Sequence, residues 1–157
     1  ILIANTLSMR ELVEQQASIA DWFIWKQPLG FLLYLTCAVA ETNRAPFDLP
    51  EAESELVAGY HTEYSSMRFA TFFISEYGAM IAVSCVGTTI FFGGWQGPFL
   101  PPFLWFFLKV LAFMFLYIWL RATFPRFRYD QLMAFGWKVL FPLALLNSLV
   151  TAAFVML

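Results

Sequence analysis

The chain has 157 residues, of which 61% are hydrophobic and 13% are charged, and its formal net charge is −2. Because about 25% of residues are charged in an ordinary soluble domain, the composition excludes a soluble domain and indicates a membrane protein. The slight negative charge also excludes a basic surface for nucleic acid.

Residues 1–7 are mostly apolar and lack an initiator Met, a basic amino-terminal region and a small-residue cleavage site. We interpret them as the tail of an earlier hydrophobic segment, and residue 1 as a point inside a longer protein.

Four longer hydrophobic segments follow, and each approaches the length of about 20 residues that a helix needs to cross a bilayer core of about 30 Å. The first carries Lys26 near its start and Pro28 where a first turn tolerates proline, the second contains Glu76, and the third contains Lys109. No span is visibly broken by Gly and Pro at mid-membrane. We therefore predict an all-α fold, a polytopic transmembrane helix bundle within a single membrane domain. Its helices are predicted over residues 22–40, 69–95, 99–120 and 133–157, with an acidic loop over residues 41–68.

The basic residues of the connecting segments predict how the helices are oriented, because Lys and Arg accumulate on the cytoplasmic side of a membrane. One side of the predicted bundle carries two such residues, Arg10 and Lys26, and its connection GGWQGPFLPP is typical of a tight hairpin. We therefore expect the acidic loop on the opposite side, which is the cytoplasmic face of a bacterial membrane or the matrix face of a mitochondrial one. The six basic residues on that side are Arg44, Arg68, Arg121, Arg126, Arg128 and Lys138.

The stretch ETNRAPFDLPEAESELVAGYHTEY, residues 41–64, concentrates acidic side chains. Asp48 and Glu51 have the spacing of a capping box, which predicts a short helix in the loop. Acids in a first turn are favoured by the helix dipole by about 0.3 to 1 kcal/mol each, so a purely structural role stays open for Glu51, Glu53 and Glu55. Of the eleven acids in the chain, six lie in this stretch: Glu41, Asp48, Glu51, Glu53, Glu55 and Glu63.

The number of acids points beyond that structural role. Glu51 and Glu55 are four residues apart, on one helix face where like charges repel, and Glu41, Glu63 and Glu76 lie outside the predicted turn. Carboxylates crowded into a partly dry site cannot all ionise. Such a cluster can accept and release protons.

Two charged residues lie deep within predicted membrane spans, whereas Lys26 and Lys138 lie near the starts of theirs. Glu76 lies about 10 Å into its segment, and Lys109 about 12 Å into the next, at 1.5 Å per residue. Because a charge within hydrocarbon costs several kcal/mol, we expect Glu76 to be functional, with a structural ion pair as the alternative. A direct ion pair between Glu76 and Lys109 is one arrangement that would neutralise both charges.

No motif for a redox centre or a bound cofactor is present in the sequence. It lacks a phosphate-binding loop, a CxxC pair, paired histidines for haem and a nucleophile elbow. Cys37 and Cys85 lie in hydrophobic runs and are expected to be buried apolar side chains, not a disulfide or a metal pair. His61, the single histidine, is a weak metal signal and is expected to be solvated or hydrogen-bonded.

Three stretches of the chain resemble one protein family. ETNRAPFDLPEAESELVAGYHTEY, FFISEY and IWLRATFPRFRYDQLM are similar to the membrane subunit at the junction of the two arms of respiratory complex I. This is the family of bacterial NuoH and mitochondrial NADH dehydrogenase subunit 1. The resemblance covers nearly the whole chain, with the motifs in the family's order and spacing. Because the family has eight transmembrane helices, the resemblance implies that residues 1–157 are the C-terminal part of the membrane domain.

A function for the acidic loop is implied by this resemblance. In the family the loop lies beneath the hydrophilic arm and helps to wall a chamber in which a lipid-soluble quinone is reduced. The chain would then be a subunit of a proton-translocating NADH:quinone oxidoreductase with no redox cofactor of its own, since FMN and the iron–sulfur clusters lie in partner subunits. The implied partners are the quinone, membrane lipid, the hydrophilic iron–sulfur subunits of the peripheral arm and the other membrane subunits of complex I.

Individual residues also acquire implied roles. Glu41 and Glu76 match carboxylates at the start of a buried polar path toward the antiporter-like subunits, and Arg44 matches an arginine that can hold loop carboxylates ionised. Phe69 and Phe73 match apolar lining of the chamber, with plain lipid or helix contact as the alternative. No catalytic residue or metal ligand is implied. The loop acids that match the cluster beside the chamber are Asp48, Glu51, Glu53, Glu55 and Glu63.

Two other functions stay open from the sequence. The homologous subunit of a membrane-bound hydrogenase or of the photosynthetic NDH complex shares the fold, although the intact ETNRAPFD and SEY motifs favour the NADH-linked enzyme. A secondary ion transporter also uses intramembrane Glu and Lys residues, but the sequence shows no inverted repeat.

Overall fold

The computed structural model describes residues 2–43, 46–47, 67–125 and 127–156. In these residues the regular structure is entirely helical, which confirms the predicted all-α fold. A 3₁₀ turn, Ile19–Asp21, precedes α2, and a π-helical segment, Gly136–Leu140, joins α6 to α7. The α-helices are α1 (Met9–Glu14), α2 (Phe23–Lys26), α3 (Pro28–Glu41), α4 (Met67–Phe91), α5 (Pro102–Thr123), α6 (Tyr129–Phe135) and α7 (Phe141–Met156).

In the part of the chain that the structure describes, three helical stretches are long and apolar enough to cross a membrane. They are α4, α5 and the run from α6 to α7, Tyr129–Met156. The pair Ile19–Lys26 and Pro28–Glu41 supplies a fourth span if its two parts cross together. The prediction of a polytopic bundle with about four spanning helices is therefore confirmed.

The first span is broken, although no break at mid-membrane is visible in the sequence. Its two parts meet at an angle of 71° at Gln27. A proline disfavours helical backbone at the residue before it, and Gln27 accordingly has φ −138° and ψ 66°. Pro28 then begins α3, where its missing N–H is tolerated. With 14 residues, α3 alone rises about 21 Å, less than the bilayer core of about 30 Å.

A tight turn joins the antiparallel helices α4 and α5, and we call this side of the bundle the hairpin end. Gly93 and Gly94 have φ values of 66° and 51°, in the left-handed region that favours glycine. A Cβ atom at Gly93 would also lie 3.0 Å from the carbonyl oxygen of Gln16. The opposite side, where α3 ends and α4 begins, is called the loop end.

Packed side chains hold the helices together at both ends of the bundle. At the loop end, α3, α4 and α5 meet in a buried cluster of Val39, Phe47, Met80 and Tyr117. At the hairpin end, rings pack edge to face with centroids 5.3 to 6.1 Å apart, in a cluster of Phe31, Phe91, Phe92 and Phe113.

The last span changes its helical pitch before a proline. In the π-helical segment the N–H of Phe141 donates to the carbonyl oxygen of Gly136, five residues earlier. Pro142 has no N–H for the carbonyl of Lys138, and in a regular α-helix its ring would crowd that carbonyl. The wider π turn accommodates the proline without ending the span.

Candidate functional site

The structure describes four of the ten residues that the sequence assigns to a site. Glu41, Glu76, Phe69 and Phe73 lie in α3 and α4. The other six predicted site residues lie outside the described residues, as does His61, and they are Arg44, Asp48, Glu51, Glu53, Glu55 and Glu63.

Glu41 is the last residue of α3 and lies beside a cleft of about 410 Å³ between α3 and α4. Tyr34, seven residues earlier and therefore on the same helix face, lines the same cleft. Small and aliphatic side chains complete its walls, namely Cys37, Ala38, Ala82, Val83 and Val86. The arrangement places one carboxylate and one phenol on an otherwise apolar cleft.

Tyr34 also ties the two helices together. Its hydroxyl group donates a hydrogen bond of 2.7 Å to the main-chain carbonyl of Val83. The ring lies against α4 because residue 87 is glycine: a Cβ atom at Gly87 would be 2.8 Å from Cε1 of Tyr34. Tyr34 is not among the site residues predicted from the sequence, although its spacing of seven residues from Glu41 is a signal that could have identified it.

Glu76 lies in the half of α4 nearer the loop end, nine residues after Met67, which is about 13 Å along the helix. Its side chain is half-buried. Met80, one turn further on, packs with Val39, which precedes Glu41 by two residues. Because α3 and α4 run antiparallel, the two glutamates lie at about the same depth in the bundle.

Two aromatic residues share a face of α4 with Glu76. Phe69, Phe73 and Glu76 are separated by four and three residues, the spacing of one helix face. The rings of Phe69 and Phe73 contact each other, with centroids 4.8 Å apart. An aromatic strip therefore leads from the start of α4 to Glu76.

Lys109 does not pair with Glu76. Its side chain is buried, and Nζ donates to the carbonyl oxygens of Phe92, Gly94 and Gln96 at 2.6, 3.0 and 2.8 Å. Phe92 comes sixteen residues after Glu76, so the ammonium group lies about 24 Å along α4 from Glu76. Lys109 instead bonds to carbonyls of the turn that follows α4, beside the helix end whose dipole favours a cation.

Gln16 is a second residue that the sequence analysis missed. It is fully buried, and its Nε2 donates to the carbonyls of Leu12 and Ile90 at 3.2 and 3.1 Å. Its Oε1 accepts from the N–H groups of Phe23 and Gly93, both at 3.1 Å. This one amide holds α1, α2 and the end of α4 together, and in the sequence it looks like an exposed helix residue.

The described residues contain no cluster of three or more His, Cys, Asp or Glu side chains that could hold a metal ion. Cys37 and Cys85 are free thiols on α3 and α4, and the prediction that both are buried is wrong, because Cys37 is exposed and Cys85 is only half-buried. Cys37 faces the cleft beside Glu41, where its small side chain leaves space.

Comparison with known proteins identifies the family. The profile of a family described as NADH dehydrogenase matches residues 1–152. An NADH-quinone oxidoreductase subunit of Protochlamydia amoebophila is 60% identical over 154 residues, which cover 98% of this chain and 47% of the relative. The corresponding subunit of Koribacter versatilis is 56% identical over 170 residues, covering 100% of this chain and 48% of the relative. The corresponding subunit of Geobacter sulfurreducens is 56% identical over 151 residues, which cover 96% of this chain and 45% of the relative.

The chain spans about half the length of the curated relatives that it matches. The matched range includes every described helix that carries a predicted site residue. This chain belongs to the NADH dehydrogenase family.

Proposed function

We propose that this chain forms part of the membrane subunit of a proton-translocating NADH:quinone oxidoreductase, respiratory complex I. In this role it helps to form the quinone chamber and couples the reduction of quinone to proton translocation. Its membership of the NADH dehydrogenase family and the names of its relatives support the proposal. Its apolar helices make it a multi-pass membrane protein.

The coupling role rests on the position of Glu41 and Glu76. They lie at about the same depth on two packed helices, Glu41 beside an apolar cleft and Glu76 half-buried within α4. Glu76 lies within a membrane span, where a carboxylate is expensive when charged, whereas Glu41 is exposed at the end of α3. Two glutamates placed in this way respond together when nearby groups gain or lose protons.

Quinone reduction supplies that change in charge. A quinone that accepts two electrons also takes up two protons, which come from titratable groups or water near the head group. We assign this supply to protonated members of the loop cluster of Asp48, Glu51, Glu53, Glu55 and Glu63, and Arg44 stabilises the carboxylates that form when they give up their protons. Loss of protons from the loop cluster then changes the charge near Glu41 and Glu76.

The aromatic strip of Phe69 and Phe73 suits the apolar tail of the quinone. A quinone carries an apolar isoprenoid tail, and sites for such ligands are lined mainly by apolar and aromatic side chains. The two contacting rings lie on the face of α4 that also bears Glu76. We therefore place the tail along this strip.

The proposal needs partners for electron transfer. FMN and the iron–sulfur clusters belong to hydrophilic subunits of the peripheral arm, which cover the acidic loop, and other membrane subunits of complex I pack beside this one. The complex lies in a bacterial plasma membrane or in the mitochondrial inner membrane. The acidic loop faces the cytoplasm or the matrix.

Replacement of Glu41 by Gln tests the proposal in the assembled complex. Because Gln keeps the volume and cannot ionise, we expect quinone-linked turnover and proton pumping to fall about tenfold or more. Glu14→Gln is the matched control, since Glu14 is an acid of α1 that pairs with Arg10 at 3.0 Å. An assembled Glu41→Gln complex that pumps like the wild type would contradict the coupling role.

A further inference from the structure

A groove at the hairpin end lies between the start of α3 and the second half of α7. It has a volume of about 200 Å³, and its polar wall is formed by Lys26, Gln27, Asn147 and Thr151. Its apolar wall is formed by Leu29, Val150, Phe154 and Val155. A cavity of about 420 Å³ shares Gln27, Asn147 and Thr151 with it. One polar patch is thus flanked by two apolar spaces.

Lys26 gives this groove a positive charge that no side chain of the described residues neutralises. Of the other cations at the hairpin end, Arg10 pairs with Glu14 at 3.0 Å, and Lys109 is buried against main-chain carbonyls. Lys26 is exposed, and the ring of Phe23 lies near its ammonium group, at 5.4 Å from the centroid. The groove is therefore complementary to an anion.

The polar patch also keeps hydrogen-bond donors available. Nε2 of Gln27 donates to Oγ1 of Thr151, and Nδ2 of Asn147 donates to Oε1 of Gln27 at 3.5 Å. A side-chain amide has two N–H groups, so each of the two amides retains one. Two donors beside a lysine suit phosphate and ester oxygens.

Tryptophans place this groove at the level of lipid head groups. Trp residues are enriched where a membrane meets water, and four of the six in the chain lie at the hairpin end. Trp25 is directly before Lys26 and is 69% exposed, while Trp95 in the hairpin turn is 40% exposed. The four are Trp22, Trp25, Trp95 and Trp105.

We propose that the groove between α3 and α7 is a binding site for one anionic phospholipid. Its phosphate group contacts Lys26, its ester oxygens accept from Gln27 and Asn147, and an acyl chain lies along the wall of Leu29, Val150 and Phe154. The charge distinguishes this ligand from a neutral quinone and from a zwitterionic lipid. This inference does not depend on the proposed function.

Photo-crosslinking in the native membrane complex tests the site. The complex is reconstituted in nanodiscs with photoactivatable phosphatidylglycerol or, in parallel, with phosphatidylcholine carrying the same acyl probe. We expect phosphatidylglycerol to label peptides from residues 24–32 and 147–155 in preference to phosphatidylcholine. Lys26→Gln should lower this labelling about fivefold, the effect of one lysine near an anionic lipid surface.

Two further variants make the result specific. Lys138→Gln removes the same charge at the other end of the span that contains α7, and it should leave the labelling unchanged. Val150→Trp fills the groove from an exposed position and should abolish labelling while Lys26 is intact. Equal labelling by both lipids, labelling that survives Lys26→Gln and Val150→Trp, or no labelled peptide because another subunit covers the groove would each overturn the proposal.

Discussion

The ammonium group of Lys109 lies 4.6 Å from the centroid of the Trp22 ring. The same group donates three hydrogen bonds to main-chain carbonyls of the turn that follows α4. A cation is stabilised both by an aromatic face and by the negative end of a helix dipole. Lys109 thereby joins the segment before α3 to the α4–α5 hairpin, which explains a charged residue in an apolar span.

Replacing Lys109 by Met should destabilise the protein. The change leaves buried carbonyls without a donor, at a cost of about 1 to 3 kcal/mol for each unsatisfied group. We expect less assembled complex and a lower melting temperature in detergent. Lys138→Met is the matched control, because Lys138 is exposed. Equal melting temperatures for the two variants would show that the carbonyl contacts of Lys109 do not stabilise the fold.

Two glycines of α4 should respond differently to alanine. At Gly87 a Cβ atom would be 2.8 Å from Tyr34 and 3.3 Å from Phe113, whereas at Gly78 no atom lies within 4 Å. Gly87→Ala should destabilise by about 1 to 3 kcal/mol through overpacking. Gly78→Ala should be neutral or stabilising by up to about 1 kcal/mol, because alanine favours helix. The melting temperatures of the two variants test this expectation. A lower melting temperature for Gly78→Ala than for Gly87→Ala would refute the packing of Tyr34 on Gly87.

Shortening the aromatic strip should weaken quinone binding. Phe73→Ala removes the ring that contacts Phe69, and we expect a KM for long-tailed quinone raised about tenfold, with a smaller change for a short-tailed analogue. Phe107→Ala is the control, since Phe107 is 53% exposed on α5. Identical KM values for Phe73→Ala and wild type would remove this strip from the chamber.

The double replacement of Glu51 and Glu55 by Gln tests the loop cluster. Gln preserves volume, so the protein should insert and assemble, but titratable groups near the proposed chamber are lost. We expect impaired quinone-linked turnover in membranes, measured as NADH:quinone activity and pumping. If the assembled double variant showed wild-type NADH:quinone activity and wild-type pumping, Glu51 and Glu55 would keep only the structural role of acids in a first turn.

Hydrophobic length predicted the spanning helices well, because a run of about 20 apolar residues needs no particular partner to be recognised. The break at Gln27 was harder to predict. Proline is accepted in a first turn and also ends a preceding helix, and Pro28 does both, since it begins α3 and terminates α2. The sequence pattern alone could not show whether the residues before Pro28 form a separate helix.

The partners of buried polar residues could not be predicted from side-chain motifs. Lys109 and Gln16 bond largely to main-chain groups near the hairpin turn, and such groups carry no residue signature. Glu76 was different, because an acid in a hydrophobic run is conspicuous by itself. The sequence therefore identified the charged residues in the spans, whereas their partners depended on how the helices pack.

We propose that Glu76 changes its charge during turnover, and the decisive measurement is the number of protons pumped per electron pair in Glu76→Gln and Glu76→Asp complexes. Gln retains shape and hydrogen bonding but cannot ionise, whereas Asp retains the acid on a shorter side chain. With assembly verified by subunit content, we predict that Gln loses most coupled activity and that Asp keeps a substantial part of it. A Glu76→Gln complex as active and as tightly coupled as the wild type would contradict the account.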